Sequence, residues 1–203
     1  MLLSCAPIIV IAQRCSVITP FDCSVNVIAA KCSIEVRAFG LAGVVPDNMY
    51  GFVKLSGVVA WGSSFTGVFP HRRGMGIVVV DPFNCSALKS LTFDTFDINA
   101  DAAMELTNYL QLVHHGGIIV AATADEPTLN LDEAKANLLQ LGADVSDVHY
   151  RGAFAFVAQK GFPAKTVLRK VLTAEESATT QPQFSVTISG KNKMLQLLGQ
   201  HTL

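Results

Sequence analysis

The stretch AFAFVAQ (153–159) is apolar at every position through Ala158. Phe154, Phe156 and Ala158 fall on one face of an extended chain, and Ala153, Ala155 and Val157 on the other. Apolar residues on both faces predict a strand covered on both sides. CSIEVRAFG behaves differently: Ile34, Val36 and Ala38 alternate with Glu35 and Arg37, which predicts a half-buried strand closed by Gly40. GFVKLSGVV (51–59) reads as another strand, and GSSFTGVFPHRRG (62–74) as a loop. GIVVVDP (76–82) reads as a short buried strand ended by Asp81 and Pro82. LTFDTFD (91–97) is expected to pair with it across the turn PFNCSALKS.

Two segments carry helical periodicity. In NADAAMELTNYLQLVHHGG, Asn99 is the expected cap and Asp101 sits in the first turn. Ala102, Leu106, Tyr109, Leu110 and Val113 form an apolar stripe. His114 and His115 stand at the negative end, before Gly116 and Gly117. In NLDEAKANLLQLG, Asn130 and Glu133 have capping-box spacing, Leu131, Ala134, Leu138 and Leu141 form the stripe, and Gly142 ends it. Between the helices, GIIVAATADEP predicts a buried strand running into Asp125. Residues 163–182 read as helix and loop around AKTVLRKVLTAEE, and QFSVTIS (183–189) alternates with Phe184, Val186 and Ile188 inward. This order predicts a β-rich α+β fold, two sheets with helices at the side.

A chain of 203 residues, half of them hydrophobic, can bury a sizeable core. The net charge of −1 and the absence of a basic run argue against a nucleic-acid partner. No apolar stretch is long enough for a transmembrane helix. Cys5, Cys15, Cys23 and Cys32 crowd the first residues while Cys85 stands apart. The spacing is not that of a zinc site; the five are either disulfide partners or buried thiols, and the pairing stays open. Residues 1–33 read as a cysteine-rich segment, either a degenerate secretion signal or a first strand, and residues 34–203 as one domain.

The motifs of common enzyme sites are missing. The glycines of RRGMGIVVV precede their strand, the reverse of a dinucleotide loop, and there is no GxxxxGK[ST], HExxH or GxSxG. Adjacent His114 and His115 point to different sides of a helix. Asp94, Asp97 and Asp101 read as a solvated helix entrance, and Asp132 and Glu133 as first-turn acids. No catalytic residue and no cofactor are expected.

Polar groups do gather at strand ends. Arg73 precedes one buried strand, Asp125 follows the next and Arg151 precedes a third. If the middle strand runs opposite to its neighbours, all three lie at one end of the sheet. Two guanidiniums and a carboxylate suit hydroxyls, an acetamido carbonyl or an anion, with Phe154 or Tyr150 as an aromatic face. The plain alternative is a salt bridge that closes the sheet end.

RRGMGIVVVD, LTFDTFDINADAAMELTNYL, GGIIVAATADEPTLNLDEAKANLLQLGA and HYRGAFAFVAQKG stand in order. Together they resemble the interleukin-like EMT inducer family, best over residues 73–161. The same domain is similar to the stem of protein O-mannose N-acetylglucosaminyltransferase and to modules of hyaluronan-related proteins. The resemblance implies a sandwich of two antiparallel sheets with two or three flanking helices. It also implies a secreted, non-enzymatic protein with glycans or glycoproteins as partners. Arg73, Asp125 and Arg151 match the sugar-contacting positions of the stem module, which recognises N-acetylglucosamine-type ends. Two departures from that pattern are Gly152, where an acidic residue often follows the arginine, and Phe154 in place of Trp. A shallow single site binds sugars weakly, so a homo-oligomer is expected to supply avidity. The alternative is a cytokine-like signalling or interaction factor with no sugar site.

Overall fold

A computed structural model describes residues 31–40, 49–64, 72–97 and 101–189. Asn99, three of the five cysteines (Cys5, Cys15 and Cys23) and residues 190–203 lie outside that set. In chain order the elements are β1 (Lys31–Arg37), β2 (Met49–Leu55), β3 (Val58–Ser64), β4 (Gly74–Asp81), β5 (Ser86–Phe93), α1 (Ala102–Leu112) and β6 (Ile118–Ala124). They continue with α2 (Asp132–Gln140), β7 (Ala153–Gln159), β8 (Val167–Val171), α3 (Ala174–Thr179) and β9 (Gln183–Ser189).

The strands form two antiparallel sheets, ordered β3-β2-β1-β9 and β5-β4-β6-β7-β8. The fold is the β-rich α+β arrangement of two sheets that the pattern predicts, packed as the antiparallel sandwich that the family resemblance implies. Its larger sheet is the middle of three layers, and this explains the doubly apolar strands. Val78, Val120, Ala122, Ala155 and Val157 face the smaller sheet, where they meet Ile34, Val36, Val53, Trp61 and Phe184. Met75, Ile77, Ile119, Phe154 and Phe156 face the other way, onto Leu106, Leu110, Leu131 and Leu138 of the α1–α2 layer. Alternate residues of one strand thus enter two different cores. The smaller sheet has its second face outside these cores, which is why β1 and β9 alternate while β4, β6 and β7 do not.

A disulfide joins Cys32 in β1 to Cys85 in the β4–β5 turn, tying the two sheets together. Of the alternatives left open for the cysteines, these two are therefore partners. Close contact between the sheets also needs Gly76: a Cβ there would lie 2.0 Å from the Trp61 indole. That indole is held in place by donating to the Thr92 hydroxyl at 2.9 Å.

Several local expectations are corrected. Residues 51–59 are not one strand but a hairpin, since Leu55 pairs with Val58 across Ser56 (φ 47°) and Gly57 (φ 85°). Two positive φ angles are the geometry of a tight two-residue turn, and Ser-Gly signals it less strongly than Asn-Gly. Of the loop assigned to 62–74, Gly62–Ser64 belong to β3 and Gly74 opens β4, while residues 65–71 lie outside the described residues. The turn assigned to PFNCSALKS is shorter: β5 starts at Ser86 and ends at Phe93, so Asp94–Asp97 form a turn beyond it. Residues 163–182 contain the edge strand β8, whose polar Arg169 and Lys170 broke the apolar pattern. The capping box at Asn130 and Glu133 is not formed. The Asn130 amide instead donates to the Phe96 carbonyl at 3.4 Å, and its backbone N–H donates to Thr95 at 3.0 Å. Asn130 is drawn away from α2 to brace the turn after β5.

Candidate functional site at the sheet end

The register decides what meets at the end of the larger sheet. Gly74 lies opposite Ala124 in the β4–β6 pair, and β6 and β7 are likewise antiparallel. Arg73, Asp125 and Arg151 therefore sit at the same end of three neighbouring strands, as the sequence argument requires. The β6–β7 register runs only to Ala122 opposite Ala155. Beyond it the Thr123 carbonyl accepts from the N–H of Phe39, outside the larger sheet. The buried Thr123 hydroxyl substitutes for the ladder: it accepts from the Phe154 N–H at 3.0 Å and donates to the Phe154 carbonyl at 3.1 Å.

Both residues at the mouth adopt left-handed backbone, Asp125 at φ 64° and Arg151 at φ 62°. Non-glycine residues seldom do so, and such strain concentrates where a site has been shaped for a task. The conformation of Arg151 has a visible cause. Glu126, 1% exposed, turns a carboxylate oxygen to accept the Arg151 backbone N–H. The other oxygen of Glu126 accepts from the Thr128 N–H at 2.6 Å and from its hydroxyl at 2.5 Å. The loop after β6 is thereby pinned to the start of β7.

The expected side chains differ in how they are engaged. The Arg73 guanidinium donates from Nη2 (2.7 Å) and Nε (3.2 Å) to one oxygen of Asp94, and it lies 4.6 Å from the centre of the Phe96 ring. Its pKa is raised above the ordinary arginine value, first by the Asp94 hydrogen bond, with Asp125 and Asp97 adding their negative charge against the cost of partial burial. The half-buried Arg151 has its guanidinium carbon 5.2 Å from the centre of the Tyr150 ring. Its Nε is buried and has no hydrogen-bond partner. An orphaned donor of this kind carries a desolvation cost that a ligand acceptor would remove. Phe154 is fully buried in the core beneath the helices, so its ring supports the site from below and offers no face for stacking. Half-exposed Tyr150 is the aromatic residue at the mouth.

Sequence reasoning missed two residues here. Asp94, read as part of a solvated helix entrance, is the partner of Arg73. Glu126 is not singled out by the sequence pattern, although continuing the antiparallel register beyond Ala122–Ala155 sets it across from Arg151. Two clefts lie elsewhere: one of about 320 Å³ near His115 and Lys160, and one of about 300 Å³ between the starts of α1 and α2. Among the described residues no group of His, Cys, Asp and Glu has the arrangement of a metal site, and no helix is long and apolar enough to cross a membrane.

The protein is thus an antiparallel sandwich with a helical layer on one face and polar groups gathered at one end of its larger sheet. Residues 73–162 match the family model described as Interleukin-like EMT inducer. Over 98 residues, 47% of the chain, the sequence is 31% identical to the human cell migration-inducing and hyaluronan-binding protein. The match spans only 7% of that protein's length.

Proposed function

We propose that this is a non-enzymatic, lectin-like protein that recognises terminal sugars, N-acetylglucosamine or a close relative, through Arg73, Asp125 and Arg151. The observation that carries the reading is the buried, partnerless Nε of Arg151 on a backbone held in the left-handed region beside Asp125. In this reading Arg151 donates to a sugar hydroxyl or acetamido oxygen and Asp125 accepts from hydroxyls. Arg73, held by Asp94, sets the charge, and Phe154 packs beneath. The relative named as hyaluronan-binding is consistent with a glycan ligand. The protein is read as secreted, which the Cys32–Cys85 disulfide supports because such bonds persist in oxidising compartments. Nucleic acid is not a partner of this nearly neutral chain, and avidity would come from homo-oligomers.

A second reading, a cytokine-like interaction factor without a sugar site, is favoured by one observation. Arg73 is already engaged by Asp94 and Phe96, as a purely structural ion pair would be. A glycan array with the wild type and Arg151→Ala side by side separates the two. The lectin reading expects a defined terminal sugar bound by the wild type and lost by a variant that melts normally. Failure of well-folded wild type to bind any glycan, or an Arg151→Ala variant that binds as before, overturns it. Asp125→Ala adds a check: a small change in melting with lost binding fits the lectin, whereas a large destabilisation with no binding to lose fits the structural reading.

A further inference from the structure

The cleft at the opposite end of β7 has a construction of its own. It lies where the end of α1, the last turn of α2 and the turn after β7 meet, and it holds about 320 Å³, the small end of the range for small-molecule sites. Leu110 and Leu141, both nearly inaccessible, supply its apolar floor. Gln111, Asn137 and Gln140 bring three carboxamides from two helices. Only a contact of 3.5 Å joins the Gln111 Nε2 to the Asn137 Oδ1, so these amides keep most of their donor and acceptor capacity.

The charge of the cleft is limited. Lys160 reaches back from the end of β7 and donates to the carbonyls of Leu110 (2.7 Å) and Gln111 (2.6 Å), the unsatisfied end of α1. An ammonium has three donors, so one remains for a ligand. Among the described residues the lining contains no Asp or Glu. Gly161, at φ 86°, lets the His115 imidazole pack directly against the turn, since a Cβ there would lie 2.1 Å from its Nε2. The imidazole itself is backed by Phe162, with ring centres 5.2 Å apart.

We infer that this cleft is a second binding site and that it takes one pyranose ring of a saccharide, either neutral or bearing one carboxylate. Carboxamides donate and accept at once, as sugar hydroxyls do, and the leucine floor suits the C–H face of a ring. A cationic ligand would meet Lys160 with no carboxylate to oppose it. A phosphorylated nucleotide would ask one largely committed ammonium to neutralise several charges. This cleft shares no residue with the sheet-end site and stands independently of that reading. If both hold, the chain has sugar sites at the two ends of one strand, roughly 25–30 Å apart at about 3.3 Å per residue.

The test is a titration of the ¹⁵N-labelled full chain with methyl β-D-glucoside and, separately, methyl β-D-glucuronide at millimolar concentration. The side-chain amide signals of Gln111, Asn137 and Gln140 are followed by NMR. Saturable shifts of these signals with at least one glycoside are expected. A Gln111→Ala/Asn137→Ala double variant, whose fold is checked by its melt, should bind about tenfold more weakly. Arg151→Ala should leave these shifts unchanged. Absence of saturable shifts with both glycosides, or undiminished binding by the double variant, overturns the inference. Shifts confined to residues around Arg73, Asp125 and Arg151 also overturn it and leave the sheet-end reading standing.

Discussion

Glu126→Gln is the substitution that interrogates the sheet end most sharply, because it changes charge and hydrogen bonding with almost no change of shape. Glu126 is 1% exposed and accepts from three donors: the N–H and hydroxyl of Thr128, and the N–H of Arg151. A carboxamide keeps one acceptor oxygen and replaces the other with an NH2. If the oxygen stays with Thr128, the Arg151 N–H faces another donor. If the amide is flipped, the Thr128 N–H is orphaned, although the hydroxyl can rotate to accept. Either way one backbone N–H loses its partner. A stranded buried donor costs about 1–3 kcal/mol, with the lower half expected because removing a buried charge relieves some desolvation. For a chain of this size that is a fall in Tm of about 2–4 °C per kcal/mol. The assay is a thermal melt with hydrogen exchange read at the Arg151 amide. Loss of stability together with faster exchange at Arg151 is expected, followed by weaker sugar binding by a residue that never touches the sugar. A melt and an Arg151 exchange rate equal to wild type would refute the argument, since Glu126 could not then be what holds the mouth of β7.

Three further outcomes are expected. Cys32→Ser/Cys85→Ser should lower stability by up to about 4 kcal/mol on the chain-entropy estimate for a separation of 53 residues, read from the denaturation midpoint with and without reductant. Equal midpoints would mean that the cross-link constrains nothing the packed sheets do not already constrain. Gly76→Ala should cost about 1–3 kcal/mol by driving a methyl into the Trp61 indole, with a change in tryptophan fluorescence as its signature. The Asp147 carboxyl lies below its ordinary value of 3.8, chiefly through its hydrogen bond to Lys170. The unfolded chain therefore takes up that proton at higher pH than the folded one. The stabilisation is present above about pH 4 and is lost as pH falls through the folded value, a small effect for a surface pair. Acid titration of Lys170→Met should be flatter than wild type in that window.

The sequence alone was enough to determine which segments are buried and how. The doubly apolar 153–158 and the alternating 183–189 differ because one strand lies in the middle layer and the other in an outer sheet, and that difference is written in side-chain period. The order of strands and helices brings Arg73, Asp125 and Arg151 to one end on the condition that the middle strand runs opposite to its neighbours, and the tertiary pairing meets that condition. Local polarity hid β8, where two basic residues interrupt an edge strand, and a Ser-Gly turn hid the break between β2 and β3. Tertiary structure decided the rest. Whether Phe154 shows its ring to a ligand depends on the helices lying over it, and they cover it. That Asp94 partners Arg73, that Glu126 holds the backbone of Arg151 and that Cys32 meets Cys85 are contacts between residues 21, 25 and 53 positions apart. Period and spacing describe a residue's own strand or helix. Which side chains face each other across strands and sheets is set only when the layers close, and the polar chemistry of this molecule is made there.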